Sequence, residues 1–131
     1  MIIGITSGVF DLFHEGHMSF LYKCKKKCTL LMVGVDVDKL VQLKKGKNRP
    51  VNSLDIRLKN VSCYSLGNVF IKQSSIENYL FLGIHYYFIP ANKIISLQRE
   101  EFLKKMNILV IRIPYNYSIS TTEIIGKKTK Y

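Results

Sequence analysis

Short apolar, β-branched runs alternate along this chain with segments of helical pattern, and no other property narrows its fold so far. The runs are Ile2–Ser7, Thr29–Val35, Val69–Lys72, His85–Ile89 and Ile108–Ile113, all rich in residues that suit a buried pleated surface. Between them Gly16–Lys26, Asp38–Leu43, Ser53–Tyr64, Ser75–Leu82 and Leu97–Met106 read as helices, and a last helix starts near Thr121. Ser53 ahead of Asp55 and Ile56, and Ser120 ahead of Thr121, Thr122 and Glu123, are helix-start signals. Alternation at this spacing calls for crossover connections between parallel strands. The expected fold is therefore α/β, a doubly wound parallel sheet of about five strands with helices on both faces.

No repeat, low-complexity tract or Pro/Gly/Ser linker interrupts the pattern, so residues 1–131 are expected to form a single domain. A chain of this length can bury a core without disulfides or a structural metal. Its cysteines, Cys24, Cys28 and Cys63, are odd in number and lack framework spacing, which fits a reducing, cytoplasmic setting. The first residues read as a strand rather than a secretory signal. The longest stretch free of Asp, Glu, Lys and Arg, Asn78 to Asn92, is broken by Gly83 and Pro90 and falls short of the roughly 20 residues a membrane span needs.

Charge narrows the partners. Lys and Arg number 20 against 9 Asp and Glu, a formal +11, which favours anions such as nucleotides or phosphorylated metabolites. Nucleic acid would also fit the charge, but no RNA-binding sheet signature or helix-turn-helix pattern accompanies it, and no nucleic-acid partner is expected.

In an open parallel sheet, ligands bind beyond the carboxyl ends of the strands where the strand order reverses. The segment "GVFDLFHEGH", Gly8 to His17, follows the first strand and falls at that mouth. Its two histidines admit three readings. A metal site would need further ligands, and no Cys/His cluster supplies them. Packing alone would account for either histidine singly. Catalysis on a phosphate explains both, and Gly16 between them, since a residue without a side chain lets phosphate oxygens approach closely. Imidazoles at 14 and 17 can then donate hydrogen bonds to charge building on a reacting phosphorus.

The stretch "GVFDLFHEGHMSFL" closely resembles the G-[TV]-F-D-x-x-H-x-G-H signature of the small cytidylyltransferases of the glycerol-3-phosphate type. Residues 30–57, "LLMVGVDVDKLVQLKKGKNRPVNSLDIR", look like that family's second strand, lysine loop and next helix. The portion "KGKNRPVN" is also similar to the adenylyltransferase domain that makes ADP-activated heptose. Near the end, "IPYNYSISTTEII" is similar to the segment R-T-x-G-[IV]-S-[ST]-[TS] that opens the last helix under the triphosphate.

The resemblance implies a Rossmann-like nucleotidyltransferase, in which His14, His17 and Lys45 are catalytic. Gly8, Val9, Phe10, Asp11, Gly16, Lys44, Ser120, Thr121 and Thr122 would hold the nucleotide. Asp11 would either brace the phosphate loop or help a magnesium ion. Arg57, Asn92 and Tyr115 are weaker expectations as substrate or base contacts. The reaction implied joins CTP to a small phosphorylated alcohol, glycerol 3-phosphate first, giving a CDP-alcohol and pyrophosphate, with Mg2+ accompanying the triphosphate and a homodimer as the assembly. The alternatives are ATP-dependent adenylyl transfer to a heptose-type sugar phosphate, and a nucleotide-binding relative that has lost turnover. The chain departs from the family at "SLGNV" (65–69), "PANK" (90–93) and "YNYS" (115–118), where the family carries [RK]-Y-V-D-E, G-x-D-[WY] and R-T-x-G.

Overall fold

The computed structural model of the chain describes residues 1–64 and 67–114. The helix expected from Thr121 and the site residues Tyr115, Ser120, Thr121 and Thr122 lie outside the described residues.

Five strands, β1 (Ile3–Gly8), β2 (Leu30–Asp36), β3 (Asn68–Lys72), β4 (Tyr86–Pro90) and β5 (Leu109–Ile113), form one parallel sheet in the order β3-β2-β1-β4-β5. Helix α1 (Glu15–Lys26) joins β1 to β2. Helices α2 (Asp38–Lys45) and α3 (Leu54–Tyr64) lie between β2 and β3, and α4 (Leu97–Lys105) joins β4 to β5. The fold is the α/β, doubly wound, Rossmann-like sheet that the alternation called for.

Side-chain alternation along the strands builds two cores, one on each face. On the first, Leu31, Val33 and Val35 of β2, Phe88 of β4 and Ile113 of β5 pack with Phe20, Leu21 and Cys24 of α1 and Val61 of α3. On the second, Ile5, Tyr87 and Ile89 pack with Ile76, Leu80 and Leu103. Gly4 of β1 leaves room for a ring from the neighbouring strand, because a Cβ there would sit 2.3 Å from Cε2 of Phe88. His85 is structural: its Nδ1 accepts from the Ile3 amide at 3.0 Å, tying the start of β4 to that of β1.

The helix expected over Ser75–Leu82 is instead a single 3-10 turn, Ile76–Tyr79. This segment must carry the chain from the β3 edge past β2 and β1 to β4, and a helix rising only about 1.5 Å per residue would use up that reach. Ile76 and Leu80, four residues apart, still point inward together.

The β1–β4 ladder places the site. It contains only Gly4↔Tyr86 and Ile5↔Tyr87, whereas β1 stays paired with β2 as far as Gly8↔Val35. From Thr6 onward β1 and β4 are held by one buried side-chain bond, Thr6 Oγ1 donating to Phe88 O at 2.9 Å. A crevice therefore opens at the carboxyl ends of these strands, at the point where the winding direction changes.

Candidate functional site

The loop leaving β1 is strained and firmly braced. Phe10 and Leu12 adopt φ of 54° and 49°, left-handed conformations that cost bulky residues of order 1–3 kcal/mol each. Two buried groups hold them. The Asp11 carboxylate accepts from the amides of Val51 (2.7 Å) and Asn52 (2.8 Å) and lies 3.8 Å from Nε of Arg49. Arg57, fully buried, donates to Val9 O (2.9 Å), Asp36 O (2.7 Å) and Asn52 O (3.1 Å) and pairs with Asp38. Arg57 is thus a clamp on three loops. It was expected as a substrate or base contact; here it has no accessible surface, and each of its three guanidinium nitrogens donates inside the protein.

That bracing aims the start of α1. His14 is the N-cap residue, its Nδ1 accepting from the Gly16 amide at 2.9 Å, and Nδ1 of His17 accepts from the His14 amide at 3.2 Å. An Nδ1 that accepts carries no proton, so both rings keep theirs on Nε2, the nitrogen left for a ligand. The rings stack at 4.0 Å between centroids. His17 is flanked on its other side by Phe13 at 5.4 Å, with the Phe10 edge at 5.6 Å. Burial pushes the His17 imidazole down to about 3, helped by the nearby charges of His14 and Lys45 and opposed by Asp11. His14 is lowered as well, by burial. His17 is therefore a neutral hydrogen-bond donor at physiological pH.

Two adjoining cavities open here, of about 240 and 520 Å³. The smaller is lined by Phe10, Asp11, His17 and Phe20, beside Pro90. The larger lies over the ends of β2 and β3 and is walled by Asp36, Lys44, Lys72, Tyr87 and Arg99. Gly8, Val9 and Lys45, with Ser7 and Lys93, line both. Gly16 is buried in the cap. His14 borders neither cavity and touches the site through its stack on His17, while Asn92 is exposed and borders neither. Lys45 has its ammonium lowered, first by partial burial and then by Arg49, with Asp11 and Lys44 acting in opposite senses.

Sequence reasoning missed Asp36, Lys72, Lys93 and Arg99. Asp36 and Lys72 are the charged last residues of their strands, each following apolar neighbours, and a charge at a carboxyl end was the available signal. Their side chains pair at 3.2 Å, both buried, and Lys44 approaches the other Asp36 oxygen at 3.6 Å. Among the described residues no group of three His, Cys, Asp or Glu side chains is placed to hold a metal ion. The carboxylates of Asp11 and Asp36 are already committed. No helix of the described residues is long and apolar enough to cross a membrane.

Comparison with known proteins bears on the family and the fold. The family described as cytidylyltransferase-like matches residues 5–127. The chain is 37% identical over 133 residues to FAD synthase of Thermococcus sibiricus, covering 94% of this chain and 89% of that one. It is 44% identical over 64 residues to the bifunctional protein HldE of Blochmanniella floridana, covering 49% of this chain and only 13% of that longer one. Among solved structures, a lipopolysaccharide core biosynthesis protein from Thermoplasma volcanium superposes with a TM-score of 0.71 at 20% identity, over 91% of this chain and 99% of that one. Pantothenate synthetase from Thermus thermophilus gives 0.55 at 11% identity, over 87% and 56%. These two likenesses concern the fold alone. The family match runs through both cores and the whole β1–α1 loop, and by it the chain belongs to the cytidylyltransferase-like family of nucleotidyltransferases.

Proposed function

We propose that this nucleotidyltransferase moves a nucleoside monophosphate from a nucleoside triphosphate onto the phosphate of a small phosphorylated molecule, releasing pyrophosphate. The observation that carries the reading is the pair of stacked, neutral imidazoles fixed at the mouth of a two-chambered cleft. The α-phosphate sits in the smaller chamber, where the Nε2–H of His17 meets charge building on its oxygens. His14 holds the His17 ring in place through their stack. Gly8 and Val9 line the seam with backbone, and the braced loop keeps these groups from reorganising during reaction. Lys45 follows the phosphates as a flexible point charge. The acceptor occupies the larger chamber, with its phosphate toward the seam. Ser120, Thr121 and Thr122 complete the triphosphate grip in this reading, and Tyr115 stacks near the base.

Magnesium accompanies the triphosphate. Asp11 already accepts from two amides and lies beside Arg49. In this reading the ion is held mostly by phosphate oxygens and water, and no step above depends on where it binds.

In the cytidylyl form of the reaction the donor is CTP and the acceptor glycerol 3-phosphate, as the signature implies. Adenylyl transfer is the second reading, and two observations favour it. The likeness to FAD synthase runs nearly the full length of both chains, and FAD is FMN carrying an adenylyl group on its phosphate. A chamber of about 520 Å³ is also more than a three-carbon phosphate needs. Pyrophosphate release separates the forms when CTP and ATP are each paired with glycerol 3-phosphate, FMN and sugar phosphates. Release with CTP and glycerol 3-phosphate supports the first form, and release with ATP alone supports the second. Nucleotide binding without release across the panel refutes both and leaves a binding protein.

A further inference from the structure

We propose that Lys93 is a catalytic residue, its ammonium bridging the α-phosphate of the donor and the phosphate of the acceptor. The inference rests on the nucleotidyl-transfer reading above.

The seam between the two cavities is made of Ser7, Gly8, Val9, Lys45 and Lys93. The first three carry no charge, so among the described residues two lysines supply the positive charge where the substrates meet. The other cations of the larger cavity have carboxylate partners: Lys44 and Lys72 on Asp36 at 3.6 and 3.2 Å, and Arg99 on Glu77 at 2.9 Å. Among the described residues neither Lys45 nor Lys93 forms an ion pair. Lys93 is also partly buried, and its ammonium is lowered by that burial first and then by Lys44 and Arg99, with Asp36 pulling the other way. A cation held in such a field, at the wall of two open cavities, is stabilised by an arriving anion.

The fold fixes the base of this side chain. Arg112 Nη1 donates to Ala91 O (3.1 Å) and Lys93 O (2.6 Å), the Lys93 amide donates to Pro90 O (3.0 Å), and the Ala91 amide donates to Ile113 O (2.9 Å). The turn after β4 is thereby pinned to β5, and Arg112 is its positioning residue. Lys45 reaches the seam from the end of α2 and Lys93 from the end of β4, so the two cations flank it from different elements.

The chemistry at that point needs such a pair. An oxygen of the acceptor phosphate attacks the α-phosphorus and forms a new P–O bond. The bond from that phosphorus to the oxygen bridging the β-phosphate breaks, and pyrophosphate leaves with the electron pair. The attacking oxygen is already anionic, so no proton is transferred and no base is required. What opposes the step is the approach of two anions, and a cation between them removes that opposition.

The test compares the wild-type protein with Lys93→Met and Lys93→Arg, with His17→Asn run in parallel. Inorganic tripolyphosphate binding is read by calorimetry, and pyrophosphate release is measured with the donor and acceptor the wild type turns over. Lys93→Met is expected to weaken tripolyphosphate roughly ten-fold and to lower kcat by a larger factor than it raises the acceptor KM. Lys93→Arg should recover most of both, and the melting temperature should not move. A Lys93→Met protein that binds and turns over like the wild type overturns the proposal. If His17→Asn is inactive in the same assay, the wider reading survives that failure. Should the wild type release pyrophosphate with no pair, the wider reading fails, and unchanged tripolyphosphate affinity in Lys93→Met would remove Lys93 from any phosphate site.

Discussion

Replacing Arg57 with leucine separates a clamp from a substrate contact. The guanidinium has no accessible surface and makes bonds to Val9 O, Asp36 O, Asn52 O and the Asp38 carboxylate. Leucine fills most of the space but strands three main-chain carbonyls and half-exposed Asp38. A buried acceptor left unpaired costs about 1–3 kcal/mol, and the apolar burial of leucine returns part of the sum. The net loss should be about 3–5 kcal/mol, the range seen when one partner of a buried pair is removed. For a domain of this size that lowers the melting temperature by roughly 10–20 °C. Lysine at 57 keeps a charge but cannot reach three loops at once, so Arg57→Lys should lose a large part of the same stability. Urea and thermal unfolding give the stabilities, and pyrophosphate release at a temperature where both variants remain folded gives the rates. Turnover should fall in both, because Val9 loses its tether at the seam. A variant that melts within a few degrees of the wild type and shows only a raised substrate KM would mean that Arg57 reaches substrate and that the bracing argument is wrong.

Two further predictions follow from the same packing. His17 is held well below its ordinary value of 6.5, at about 3, so the unfolded chain binds a proton there that the native protein refuses, and stability falls as pH drops through that interval. At pH 5 the loss is about 2 kcal/mol relative to neutral pH, at 1.4 kcal/mol per unit over the 1.5 units below 6.5. Urea unfolding at both pH values should show that difference in the wild type and not in His17→Asn; equal slopes in the two proteins would refute it. Gly4→Ala places a methyl 2.3 Å from the Phe88 ring and should destabilise by about 1–3 kcal/mol, measured by thermal unfolding, with an unchanged melting temperature as the contrary result.

The strands were legible because their alternation is written twice, in β-branched runs and in the spacing between them. The helix misread at Ser75–Leu82 shows where that reasoning stops. Ile76 and Leu80 carry a helical spacing, but the distance the connection must cover decides the conformation, and that depends on a strand order no local pattern encodes. The β1–α1 loop was legible for a different reason. Its glycines, Asp11 and paired histidines are close in sequence, so their spacing carries the geometry directly. Asp11 was left between bracing and metal binding; the bracing bonds come from the amides of Val51 and Asn52, forty residues on, too far in sequence for a local motif to show. The burial of Arg57 was not legible, because a motif gives an arginine's position and not its burial. The cations of the larger chamber come from β3, α2, α4 and the turn after β4, and only the folded sheet gathers them.

The central claim is that the His17 Nε2–H acts on the reacting phosphate, and two variants isolate it from the helix cap. Asparagine at 17 can still accept the His14 amide but offers nothing at the Nε2 position, whereas glutamine can offer an N–H there and gives up the cap. Pyrophosphate release under saturating donor and acceptor, with unfolding measured on the same samples, reads both. His17→Asn should stay folded and lose roughly a hundred-fold or more in kcat, and His17→Gln should retain measurably more activity. A folded His17→Asn enzyme that turns over at the wild-type rate would contradict the account.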